Sequence, residues 1–125
     1  MPPATTAINL EAKLATFSEH WSPKIVATYN GNDVMVVKIK GEFIWHSHTD
    51  TDDFFLVLCG SLRIDLRDTT GAETHVDLAP GELYIVPRGV EHRPVAIDEV
   101  HLLLIEPTGT PNTGDPSTAV RKEVI

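Results

Sequence analysis

From Lys24 onward the chain is broken at short intervals by turn-forming residues, and this rhythm limits its possible folds more than any single motif does. The breaks fall at Asn30-Gly31-Asn32-Asp33, Gly41, Gly60-Ser61, Asp68 to Gly71, Ala79-Pro80-Gly81, Pro87-Arg88-Gly89 and Asp98-Glu99. Between them lie short runs that are either alternating or wholly apolar, the pattern of an antiparallel sandwich or barrel. Leu62 to Arg67 alternates strictly, so one face is expected in the core and one in water. Phe54 to Cys59 is apolar on both faces, which predicts a strand covered from both sides, by the interior and by a second sheet or subunit. Before Lys24 only Leu10 to Phe17 has helical spacing, with Asn9 placed to cap it and Leu10, Leu14 and Phe17 on one face.

Length and composition narrow the class. At 125 residues the chain suits one domain. We divide it into an N-terminal arm with a short helix (1–22), a β domain (23–106) and a C-terminal loop or arm (107–125), where "PTGTPNTGDPST" reads as loop. A net charge of −8 argues against nucleic acid, since such affinity comes mainly from Lys and Arg. The lone cysteine, Cys59, excludes an intrachain disulfide, and no basic segment followed by an apolar run opens the sequence, so a cytoplasmic protein is expected. No apolar run approaches the roughly 20 residues that span a bilayer, so no membrane partner is expected.

The most polar cluster lies against a core strand in "WHSHTDTDDFFLVLCG", residues 45–60. If Gly41 to His48 is a strand, its period of two puts His46 and His48 on the same face, half of a metal site. A second segment, "PGELYIVPRGVEH", brings His92 just after the turn Pro87-Arg88-Gly89. Each feature alone has an ordinary reading, exposed strand histidines for the pair and a solvated turn residue for His92.

Together the segments resemble the cupin family. Gly41, His46, His48, Asp53 and Gly60 are similar to its first motif, and Gly81, Pro87, Gly89 and His92 to its second. The resemblance implies a double-stranded antiparallel β-helix, a jelly-roll barrel, whose interior holds one divalent metal. It assigns His46, His48, Asp53 and His92 as ligands, and a homodimer is the expected assembly. Three imidazoles and a carboxylate suit Fe, Mn, Ni or Zn and leave positions for water or substrate. The family commonly has Glu where this chain has Asp53. Asp is one methylene shorter, so it reaches the metal either directly or through water. Asp52 and Asp50 are weaker candidates, a strand residue on the opposite face and a solvated turn residue.

Other residues have plainer readings. Trp45 should point away from the histidines, and Tyr84 should pack in the core. His20, His75 and His101 should be structural or exposed. Lys38 is a pocket candidate by strand parity, Cys59 reads as a buried small residue, and Arg63, Arg67, Arg88 and Arg93 form no phosphate-binding loop. The functional expectation is a metal-dependent enzyme acting on a small polar metabolite, with isomerase-like or dioxygenase-like chemistry. The alternatives are a non-catalytic module binding a small molecule or metal, and a β domain whose histidines never meet metal.

Overall fold

The computed structural model describes residues 3 and 5–125. A single helical turn, α1 (Leu10–Leu14), is the first element, with Asn9 Oδ1 accepting from the Ala12 amide at 2.9 Å. The helix stops before Phe17. Even so, Leu10, Leu14 and Phe17 pack together against Val26 and Val36, as their spacing requires.

Eight strands follow: β1 (Lys24–Tyr29), β2 (Asn32–Glu42), β3 (Asp53–Cys59), β4 (Leu62–Arg67), β5 (Glu73–Leu78), β6 (Leu83–Val86), β7 (Glu91–Pro107) and β8 (Glu123–Val124). Asn30 and Gly31, both with positive φ, make the tight turn between β1 and β2. The spine of the sheet is the antiparallel pair β2 and β7, in register from Asn32 opposite Pro107 to Glu42 opposite Val95. Along its other edge the 17-residue β7 takes two partners in succession, β4 beside residues 91–95 and β3 beside residues 101–103. Strand β5 pairs with β4, β6 pairs with β3, and β8 lies parallel to β1.

This arrangement corrects the expected jelly-roll barrel. The strands run β5-β4-β7-β2-β1-β8, with β3 and β6 branching from β7, and among the described residues no ladder joins the two ends. The fold is an all-β, largely antiparallel sheet with a short N-terminal helix, not closed into a barrel. Turn punctuation gives the strands and their hairpins, but closure depends on pairing between distant edges, which strand patterns do not encode. Side chains enclose the interior instead. Val37 and Ile39 of β2, Phe55 and Val57 of β3, Leu62 and Ile64 of β4, and Leu102 of β7 belong to one buried cluster.

Two local expectations also change. Strand β2 ends at Glu42 rather than running to His48, after a register irregularity between Ile39 and Gly41, where Gly41 has φ +90°. Between β2 and β3 the described residues make a single isolated bridge, between His46 and His92. In β3, Asp53, Phe55 and Val57 are buried while Phe54, Leu56 and Leu58 are half-buried, so the second face is only partly covered within the chain. Cys59 is exposed, not buried. The register shift between Val57 and Cys59 breaks the alternation that would have turned it inward.

Among the described residues, no helix is long and apolar enough to cross a membrane.

Candidate metal centre

His46 and His92 come from segments far apart in the chain, joined by a reciprocal bridge. The His46 amide donates to the His92 carbonyl at 3.1 Å and the His92 amide donates back at 2.9 Å. His48 is set by its own carbonyl, which accepts from the Gly89 amide at 2.7 Å, so the Pro87-Arg88-Gly89 turn positions both halves of the site. Asp53 starts β3 and pairs with Val86. One potential ligand atom from each of His46, His48, Asp53 and His92 lies within 4.8 Å of the others, and all four side chains are buried. The cluster predicted from sequence is thus assembled, although a bridge and a turn align the two histidines where a continuous strand was expected.

The imidazoles are aimed as ligands are. His46 Nδ1 lies 3.0 Å from the Ile44 carbonyl and His92 Nδ1 lies 2.9 Å from the Val90 carbonyl. Each Nδ1–H therefore donates to backbone and leaves Nε2 for the cluster, the second-sphere contact that orients metal-binding histidines. Asp53 Oδ2 is 2.8 Å from His92 Nε2 and 3.3 Å from His48 Nε2. The second contact is close but misaligned. Among the described residues, His48 Nε2 is buried with no hydrogen-bond partner. With acceptors facing both nitrogens of His92, and a lone nitrogen on His48, the cluster calls for a positive charge at its centre. A divalent cation fits this donor set.

Electrostatics agree. Burial, reinforced by the neighbouring His92, pushes the His46 pKa down to about 4. Burial also disfavours charge on His48, but the Asp53 carboxylate outweighs it and raises that pKa. Burial opposes ionisation of Asp53, yet the contacts from His48 and His92 hold its carboxyl well below the usual carboxylate range. The shorter side chain has not removed this carboxylate from the cluster.

Beside the cluster is a pocket of about 50 Å³. His46 and Asp53 line one part of it, and Phe43, Phe55 and Leu102 form apolar walls. Trp21, also on the wall, stacks on Phe43 at 4.8 Å and donates from Nε1 to the Lys40 carbonyl, while the edge of Phe43 meets the His46 ring. Glu106 lines the same pocket. It is 4% exposed, and Lys122 Nζ donates to its Oε2 at 3.0 Å. Burial and the Asp53 charge raise the Glu106 pKa to about 7, against the pull of Lys122. Sequence reading passed over Glu106, though a signal was present. In Val100 to Glu106 every even residue is buried, and Glu106 continues that face.

The remaining candidates lie elsewhere. Lys38 does not reach the pocket; its Nζ donates to the Phe17 carbonyl at 2.6 Å, and its neighbours Val37 and Ile39 take the inward positions. Asp52 is exposed and accepts from the Arg88 amide, and Asp50 is exposed. Trp45 packs its ring against the guanidinium groups of Arg67 and Arg93. Arg63 and Arg93 pair with Asp65, and Arg67 pairs with Glu91. Tyr84 packs on the core, His20 and His75 are exposed, and His101 is half-buried 3.5 Å from Glu99. The C-terminal segment braces the site. A Cβ on Gly114 would overlap the Ser47 carbonyl, between two of the clustered histidines.

Comparison with known proteins agrees with this geometry. The Cupin domain family matches residues 33–106, and the chain belongs to that family. A cupin-2 domain containing protein from Shewanella frigidimarina NCIMB 400 is 43% identical, with a TM-score of 0.75 over 80% of this chain and 93% of that one. Protein YdbB of Bacillus subtilis is 37% identical over 68 residues, 54% of this chain and 57% of YdbB. Acireductone dioxygenase of Drosophila pseudoobscura pseudoobscura is 39% identical over 56 residues, 45% of this chain and 29% of the dioxygenase. The matched stretch therefore covers little more than half of one of these curated relatives and under a third of the other.

Proposed function

We propose that this cupin is a metal-dependent enzyme with dioxygenase-like chemistry on a small metabolite, and that His46, His48, Asp53 and His92 hold the metal. The observation that carries this reading is the buried convergence of three imidazoles, two of them oriented by backbone carbonyls, and a carboxylate; among the described residues His48 Nε2 has no hydrogen-bond partner. A divalent metal bound there would supply Lewis acidity and, if it is iron, access to oxygen chemistry. The protein's own part is to orient the ligands through the Ile44 and Val90 carbonyls, to exclude bulk water with Phe43 and Phe55, and to admit only a small group beside them. The partial likeness to acireductone dioxygenase supports this class of reaction. We also propose a homodimer. The outward side of β3 and β6 is apolar, with Leu83 55% and Ile85 39% exposed, and a second copy would cover it. Sedimentation as a monomer at micromolar concentration would refute it.

The functional test has two stages. Elemental analysis of protein purified without a histidine tag should find about one divalent metal per chain, and absence of stoichiometric metal would remove the metal assignment. Oxygen uptake with candidate substrates should then follow metal content. A protein that retains a metabolite but consumes no oxygen is a binding module instead.

A further inference from the structure

We propose that Glu106 is a specificity residue that accepts a hydrogen bond from a hydroxyl group of the bound molecule, so that the pocket takes small neutral hydroxylated compounds. The proposal rests on reading the pocket beside the histidine cluster as the ligand site. Three observations support it. Glu106 is buried at the end of an apolar strand face, where Val100, Leu102 and Leu104 precede it. A buried ion pair contributes little to stability compared with apolar packing, so the Glu106–Lys122 pair is a poor device for holding the fold together. Finally, the pair is incomplete. Lys122 donates to Oε2, and among the described residues Oε1 accepts no hydrogen bond, although the carboxylate lines the pocket together with His46 and Asp53.

The pocket brings Glu106 together with His46 and Asp53 of the histidine cluster, with Asn112 and aromatic and aliphatic side chains completing its lining. A compound carrying a hydroxyl satisfies the free carboxylate oxygen. An isostere with a methyl in place of the hydroxyl leaves that oxygen desolvated and unpaired, the situation in which polar sites discriminate most strongly.

Hydroxyacetone and butanone have the same number of heavy atoms and differ by hydroxyl against methyl, so they isolate this contact. Their dissociation constants would be measured by ligand-observed NMR on zinc-loaded and on metal-free protein, with circular dichroism to confirm folding. Wild type should favour hydroxyacetone by at least about tenfold. Glu106→Leu should bring the two within about twofold, and Glu106→Gln, whose amide oxygen can still accept, should keep part of the preference. Equal affinities in wild type overturn the proposal, as does a tenfold preference that survives in Glu106→Leu. If the Leu variant does not fold, the wild-type and Gln measurements decide. Failure of zinc to bind would sink the metal assignment alone, because the preference read on metal-free protein still tests Glu106.

Discussion

Two buried polar groups in this protein have opposite characters. Lys24 is only 2% exposed, yet its ammonium is surrounded by the Ser22 hydroxyl at 3.3 Å, Glu123 at 3.4 Å and Glu19 at 3.8 Å. Those two carboxylates are well exposed, so the charge is answered from the surface, and the cluster ties β1 to the C-terminal β8. The histidine cluster, equally buried, is not answered in this way. Among the described residues His48 Nε2 lacks a hydrogen-bond partner, and Asp53 Oδ2 stands against two imidazoles at once. Burial alone therefore does not mark a functional site. Unfinished pairing does, because a buried polar atom without a partner is costly unless something from outside completes it.

Perturbing each group should sharpen the contrast. The largest effect is expected from His48→Ala, which should reduce metal content from about one per chain to near zero by elemental analysis; unchanged occupancy would contradict the assignment. Chelation should come next. Because metal binds the folded state, its removal should lower Tm by about 10 °C or more in differential scanning calorimetry. A chelator-treated protein melting at the same temperature would mean that the histidines are as self-sufficient as Lys24.

A smaller effect belongs to Glu106. Its folded pKa of about 7 lies above the ordinary carboxylate value, so its contribution to stability is fully present below about pH 4.5 and is lost as pH rises through about 7. In metal-free protein, Glu106→Gln should remove this loss. The variant should gain on wild type by on the order of 1 to 3 kcal/mol between pH 4.5 and pH 8 in denaturant titrations. A constant difference across that range would count against it. The smallest change is expected for Lys24→Met, about 1 kcal/mol or less in stability with metal content unaltered, since an apolar residue can replace a satisfied buried charge. Loss of metal from that variant would show that the two clusters are linked.

The sequence made the metal cluster legible because its ligands sit at turn-defined positions. The pair His46 and His48 and the lone His92 could be joined because the two segments that carry them, with their glycines and Pro87, resemble the two cupin motifs. The strand succession was legible from the turns. Sheet closure was not, because a turn specifies its own hairpin and says nothing about whether β5 and β8 meet. Cys59 and Lys38 were misplaced by parity, the first because a bulge interrupts alternation and the second because its neighbours Val37 and Ile39 hold the inward phase. Glu106 was overlooked although its phase was available. A charged residue ending an apolar run resembles the start of a loop, and the Lys122 partner that answers its charge lies 16 residues later, beyond any local pattern.

Strand β7 carries His92 near its start and Glu106 near its end, both facing inward with the same even-numbered phase. Inserting or deleting a single residue between them would rotate one of the two out of the interior. Changes of two residues would preserve both, and the exposed stretch Ile97 to Glu99 is where the molecule can absorb them. The chain between these two inward-facing residues thus tolerates changes of length only in even steps.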